Sequence, residues 1–293
     1  MSRVSVRPTP VAGAAARPRV TAERRLTLAR GHERLVLGVA GCVLLLAVWE
    51  ASVRLGFVRA LFVSSPSGVA RSAAVAVGQG AFWADVSVTL VEFSLGYLSA
   101  AVAGIALGLV AGWYPRVNHL ASPWIAAWYA TPQVAFVPLA ILWFGIGLGY
   151  KVFYVFLVSF FTVAVSTIAG VEAAEATHVD VARSFGARQI TLFRTVVLPS
   201  AVPHIVTGLR LAAGRAWVGV VIAELVGANQ GLGFMVNLAG SLLDTDRAML
   251  GIVLLGLFGV AWNEGLRRIE RRFDAWRPRV ADSAVADNSG GSL

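Results

Sequence analysis

Cysteine occurs once in this sequence, at Cys42, and lysine once, at Lys151. A single cysteine excludes an internal disulfide framework and a cysteine-based zinc cluster. A Walker-type phosphate loop needs a lysine directly after its glycines. Here Tyr150 precedes Lys151 and Val152 follows it, and Gly145, Gly147 and Gly149 complete no nucleotide fingerprint. The four histidines, His32, His119, His178 and His204, have no metal-ligand spacing, and no zinc-protease or serine-hydrolase motif occurs. No enzyme activity, resident metal or cofactor is therefore expected. ATP-driven work would need the motor of another subunit.

Charge is also scarce. Of 293 residues, 14% are charged and 57% hydrophobic, with mean hydropathy +0.72. Soluble chains average about 25% charged residues, so the composition is that of a polytopic membrane protein. The net charge of +9 does not point to nucleic acid, because the arginines gather at the two ends, eight within residues 1–34 and six within 267–279. Basic tails flanking apolar spans follow the positive-inside rule and predict both termini in the cytoplasm.

Six stretches are long and apolar enough to cross a lipid bilayer: 35–55, 88–112, 120–144, 150–170, 204–227 and 247–266. An even number of crossings agrees with two cytoplasmic tails. It also places the loop 171–203, with Arg183, Arg188 and Arg194, inside, and the loop 228–246, with Asp244 and Asp246, outside. The expected fold is all-α, a polytopic membrane helix bundle of about six transmembrane helices in one domain, 35–277. Tails 1–34 and 278–293 have the composition of disordered segments. Val39 to Cys42 matches a lipoprotein cleavage box, and Arg24-Arg25 a twin-arginine start. The apolar run continues past Cys42 through Val48, which predicts an uncleaved first helix.

Inside the spans, Gly96, Ala100, Gly104, Gly108 and Gly112 recur every four residues, a small-residue stripe read as a packing face for another helix. Pro132 and Pro138 are expected to bend or break the third span. Thr131, Gln133 and the carbonyls freed there are candidates to line a translocation path. The fifth span carries Arg210, Arg215 and Glu224. Ionisable residues inside a membrane mark substrate-facing or gating positions, with interhelical pairing as the alternative. Arg210 and Glu224 are expected on nearly the same helix face.

Residues 180–199 are the polar exception, with Asp180, Arg183 and Arg188 interleaved with Phe185, Ile190 and Phe193. Gly186 suits a left-handed turn that would end one short helix and start a second, and Pro199 and Pro203 are expected to reset the chain before the fifth span. The segment resembles the signature of membrane subunits of binding-protein-dependent ATP-binding-cassette importers: Glu-Ala-Ala, three residues, Gly, nine residues, Ile, one residue, Leu-Pro. Glu172-Ala173-Ala174 is a decoy, since its glycine would fall at His178. Asp180-Val181-Ala182 places Gly186, Val196 and Leu198-Pro199 in register.

The resemblance covers most of residues 85–277. Pro132 to Leu139 running into Trp143-Phe144-Gly145, with Gly208-Leu209-Arg210, Ala223-Glu224 and Gly231-Leu232-Gly233, is similar to the branch importing sulfonates, taurine, nitrate and pyrimidine precursors. Many sulfonate-type members carry Arg where this chain has Glu92. The resemblance implies a permease of the bacterial inner membrane that passes a small solute and works as a homodimer. Two ATP-binding subunits would dock on a coupling helix between spans four and five, at Asp180, Ala182, Arg183, Ser184, Phe185, Gly186, Ala187 and Arg188. An extracytoplasmic binding protein would deliver the solute. An ion-gradient-driven carrier is the alternative class.

Overall fold

The computed structural model describes residues 19–174 and 181–273, all helical or in short connections, with no strand among them. Of the tails expected to be disordered, 1–18 and 278–293 lie outside the described residues, whereas 19–34, against expectation, form the first turns of a helix. The chain divides at Arg59 into two compact units. The first contains α1 (Arg19–Arg54), whose apolar part, Val36–Arg54, is long enough to cross a membrane.

The second unit contains α2 (Ala60–Val63), α3 (Pro66–Val77), α4 (Gly80–Trp113), α5 (Pro115–Ala130), α6 (Phe136–Phe144), α7 (Leu148–Glu172), α8 (Gln189–Gly227), α9 (Leu232–Ser241) and α10 (Thr245–Phe273). Three of these, α2, α3 and α9, were not read from sequence. α3 starts where Ser65 accepts the Gly68 N–H and Pro66 occupies the first turn, and α9 fills much of what was expected to be the loop 228–246. Both α2 and α3 are tied to the start of α10. Ser64 Oγ donates to Asp246 Oδ1 and Thr245 Oγ1 to the Leu61 carbonyl.

The small-residue stripe of α4 packs on α7. A Cβ built on Gly96 would lie 2.6 Å from Val155 Cβ, on Gly104 2.8 Å from Val163 Cβ, and on Gly112 2.6 Å from Val171 Cβ. Any side chain there would push the two backbones apart. The order of these pairs shows that α4 and α7 run parallel. On its other side α7 meets α8 antiparallel, with Gly170 against His204 and Gly219 against Val158. α7 is thus the middle layer. Phe93 closes the core by meeting Trp217 and Trp262 edge-on, at centroid distances of 5.0 and 4.9 Å.

Parallel α4 and α7 require the chain between them to return along the bundle. α5 and α6 do this, joined at a 90° bend. The bend arises at Thr131, which is extended (φ −92°, ψ 134°) because Pro132 disfavours a helical residue before it. Pro138 does not break the chain, against expectation. It lies in the first turn of α6, where its missing N–H would have had no helical partner. Pro199 and Pro203 do not reset the chain either. α8 runs through both as a single 39-residue helix, with a widened π turn at Phe193–Val197 just ahead of Pro199.

Candidate functional site

The end of the bundle where α4 and α7 begin and α8 finishes holds a buried polar cluster. Glu224 on α8 is 1% exposed. Its Oε1 accepts the Thr89 hydroxyl at 2.6 Å and its Oε2 the Gly233 N–H at 2.6 Å. Thr89 Oγ1 in turn accepts the Leu232 N–H at 2.8 Å, and Asp85 Oδ1 accepts the Gly231 N–H at 2.9 Å. Residues 231–233 therefore close over the Glu224 carboxylate, Gly233 bonding it directly while Gly231 and Leu232 bond Asp85 and Thr89. Only glycine permits it: Gly231 has φ +118°, and a Cβ there would enter the Glu224 carboxylate. A Cβ on Gly233 would meet Glu224 Cβ at 2.8 Å.

Beside this cradle, Lys151 Nζ on α7 donates to Glu92 Oε1 on α4 at 2.6 Å and to the Gln230 carbonyl at 3.3 Å. Both charged side chains are buried, Glu92 at 1% and Lys151 at 4% exposure. Tyr150 donates to the Ala223 carbonyl at 3.2 Å. A cavity of about 320 Å³, lined by Glu92, Lys151 and residues 228–230, opens next to the pair. Sequence reading did not assemble this cluster. Glu92 and Lys151 had each been read for something else, one as a departure from a family pattern and one as proof of no phosphate loop.

Of the pathway candidates, Arg215 and the break in the third span come together. The Arg215 guanidinium lies 5.3 Å from the centroid of the Tyr129 ring, two residues before Thr131. Arg215 and Thr131 are exposed and Gln133 half-buried. Thr131 Oγ1 donates back to the Ala127 carbonyl. Arg210 and Glu224 do not meet. Arg210 pairs with Glu270 of α10 at 2.9 Å, and Thr207 donates to the same carboxylate, while Glu224 belongs to the cradle.

At the opposite end of α8, residues 181–184 are helical and end in a left-handed turn. Gly186 has φ +77°, its N–H reaches the Arg183 carbonyl at 2.8 Å, and the Ala187 N–H reaches the Ala182 carbonyl at 3.1 Å. Those two bonds make a Schellman stop, which satisfies the last carbonyls of the helix. Phe185 is 88% exposed, with Val181 and Ile190 exposed on either side. Arg183, Ser184 and Arg188 are exposed, and Ala182 and Ala187 half-buried. Asp180 lies outside the described residues. Among the described residues, no group of three or more metal-ligating side chains occurs.

Residues 104–274 match the family described as binding-protein-dependent transport system inner membrane component. The chain is 33% identical to the taurine transport system permease protein of Escherichia coli, over 84% of this chain and 92% of that one. It is 30% identical to a putative aliphatic sulfonates transport permease of Bacillus subtilis (80% and 84%). Its fold resembles a chain of the inward-facing MetNI methionine ABC transporter, with TM-score 0.51 at 19% identity, covering 65% of this chain and 93% of that one.

Proposed function

The chain belongs to the binding-protein-dependent transport inner-membrane family, as a multi-pass permease subunit of an ATP-binding-cassette importer, and on that premise we propose how it works. It forms a homodimer in a bacterial inner membrane with both termini cytoplasmic, and is not itself an enzyme. One ATP-binding subunit docks on each copy at residues 180–188. A binding protein outside the membrane delivers a small solute of the taurine, sulfonate or pyrimidine-precursor type. Arg215, Thr131 and Gln133 line its path.

The observation that carries this reading is the Schellman stop at Gly186, which holds Phe185 out at 88% exposure between two spans. An aromatic ring kept in water costs free energy unless a partner covers it, and an aromatic anchor flanked by arginines is how interface hot spots are composed. α8 starts three residues after Gly186 and runs as one helix past Glu224 to Gly227, about 58 Å overall by helical rise. Closure of the ATP-binding subunits displaces the docking element. α8 carries that displacement to the cradle at its far end, shifting the population between inward- and outward-facing states.

Phe185→Asp and Gly186→Val test it. Each is expected to insert and purify normally, yet to lose co-purification with the ATP-binding subunit or ATP hydrolysis stimulated by the binding protein. Normal assembly and normal stimulated hydrolysis in both variants would overturn the docking assignment. The ion-gradient-driven carrier class is set aside by the family membership.

A further inference from the structure

We propose that Arg215 is a charge-selecting contact for the solute, which it takes by an oxyanion, a sulfonate or a carboxylate, at mid-membrane. The proposal rests on the importer reading and narrows its solute to the taurine and sulfonate types, since an aminopyrimidine carries no such group. Height comes first. The contacts of Gly219 with Val158 and of Gly208 with Ser166 bracket Arg215 and set it level with the middle of α7. From there either headgroup layer is about 15 Å away, half the hydrocarbon thickness, too far for an arginine side chain to snorkel. A guanidinium at that depth faces the bundle interior or a water-filled path.

The protein leaves this charge unmet. Arg215 is exposed, forms no hydrogen bond or ion pair among the described residues, and has only the Tyr129 ring, at 5.3 Å, to compensate it. A ring face attracts a cation without accepting a strong hydrogen bond, so the five N–H donors stay open. Arg210, one turn nearer the inner end, differs because Glu270 takes it. Every described carboxylate in a span already has a partner, among them Glu50 with Arg54, Glu92 with Lys151, Glu264 with Arg268 and Glu270 with Arg210. A second copy brings the same set, so it could meet Arg215 only by breaking one of these contacts.

The missing partner is therefore a group from outside the protein, and the donor set gives its chemistry. A planar fork of N–H donors matches two oxygens of one anionic group, as a carboxylate or sulfonate presents them. The surroundings leave room for it. Leu211 and Val218, one turn to either side of Arg215, are exposed, and a Cβ on Gly214 would meet open space. Tyr129 stands two residues before Thr131, where the chain bends by 90° between α5 and α6. An ammonium group would be repelled there, and a neutral solute would leave the guanidinium uncompensated.

The test uses the full chain in phosphatidylcholine nanodiscs with Cys42→Ser and a reporter cysteine one turn from Arg215, Leu211→Cys. The rate of alkylation by an uncharged maleimide is measured against ethanesulfonate and against ethyl methyl sulfone, in which a methyl group replaces the charged oxygen. Ethanesulfonate is expected to protect the reporter at about tenfold lower concentration, the scale of one hydrogen bond to a charged group. Arg215→Gln should erase that preference and Arg215→Lys keep most of it. Equal protection by both solutes, or protection by neither, overturns the proposal. So does a preference that survives Arg215→Gln, or one lost as fully in Arg215→Lys, since charge at this position would then not be what selects the solute. Better protection by 4-aminopyrimidine than by ethanesulfonate overturns it too.

Should Arg215→Gln fail to purify, Val226→Cys moves the reporter eleven residues beyond Arg215 on the same face, about 16 Å by helical rise. The preference is then expected at 211 and not at 226, and an equal preference at both overturns the site. Equal protection by the two solutes with ATP-driven uptake intact would remove the anion site and leave the importer standing. The expected preference without any uptake driven by an ATP-binding subunit would remove the importer reading alone.

Discussion

Removing one partner of the Glu92–Lys151 pair should cost far more than removing both. The pair lies 2.6 Å apart with side-chain exposures of 1% and 5%, so neither charge has water to fall back on. Breaking a buried pair from one side strands the other charge and typically costs about 3–5 kcal/mol, whereas replacing both by apolar groups of similar volume is often close to neutral. Lys151→Met also removes a hydrogen bond to the Gln230 carbonyl, adding about 1 kcal/mol. Chains near this size shift their melting temperature by about 2–4 °C per kcal/mol. Glu92→Leu alone is therefore expected to lower Tm by roughly 6–20 °C and Lys151→Met alone by roughly 8–24 °C. The double variant should recover most of that loss. Unfolding in detergent followed by tryptophan fluorescence reads all four corners of the cycle. The reasoning fails if the single variants melt within a degree or two of the parent, or if the double variant loses the sum of the singles.

Three further outcomes follow from the packing. Gly231→Ala places a Cβ in the Glu224 carboxylate at a backbone conformation alanine rarely adopts, so a loss of about 3 kcal/mol and faster proteolysis at 228–246 are expected; parental protease resistance would count against the cradle. Gly104→Val meets Val163 Cβ at 2.8 Å and should destabilise by about 1–3 kcal/mol. Gly214→Val, with open space at its Cβ, should not, and equal melting of the two would deny the close α4–α7 contact. The Arg210–Glu270 pair is one-third exposed on its arginine side, so a double-mutant cycle should return a coupling of about 0.5–1 kcal/mol. A large loss of uptake in Arg210→Ala at unchanged stability would instead return Arg210 to the pathway.

The spans were legible because their signal is local. A run of about 20 apolar residues has one physical meaning, and a glycine stripe at four-residue spacing asks for a helix against it whichever helix that is. Which one it asks for is not local, and nothing near Gly96 or Gly104 names Val155 and Val163. Pro132 was readable for the same reason as the spans, since its effect falls on Thr131. Pro138 and Pro199 look identical to it in sequence. Their consequences depend on where the surrounding helix begins and on a π turn that no residue type announces.

The Gly186 turn, where docking is proposed, and the cradle differ in the same way. Gly186 closes a turn within six residues, from Ala182 to Ala187, so its left-handed conformation could be reasoned from its neighbours. The cradle joins Thr89 to Glu224 across 135 residues and Glu92 to Lys151 across 59, and only the parallel run of α4 and α7 places them together. One signal was present: an ionisable residue in or beside a span asks for a partner. Applied to Glu92 and Lys151 as it was to Arg215, that rule would have paired them, since Lys151 is the lone lysine and Glu92 the one acid within the second span. α8 then joins what the sequence keeps apart, with the Gly186 turn at one end and Glu224 at the other. In the proposed mechanism, a displacement of the 181–188 element has two outlets along that rod, the π turn at Phe193–Val197 and the hydrogen bonds that hold Glu224. If the π turn absorbs the movement the cradle stays shut, so coupling requires a turn stiffer than the carboxylate's grip on Thr89 and Gly233.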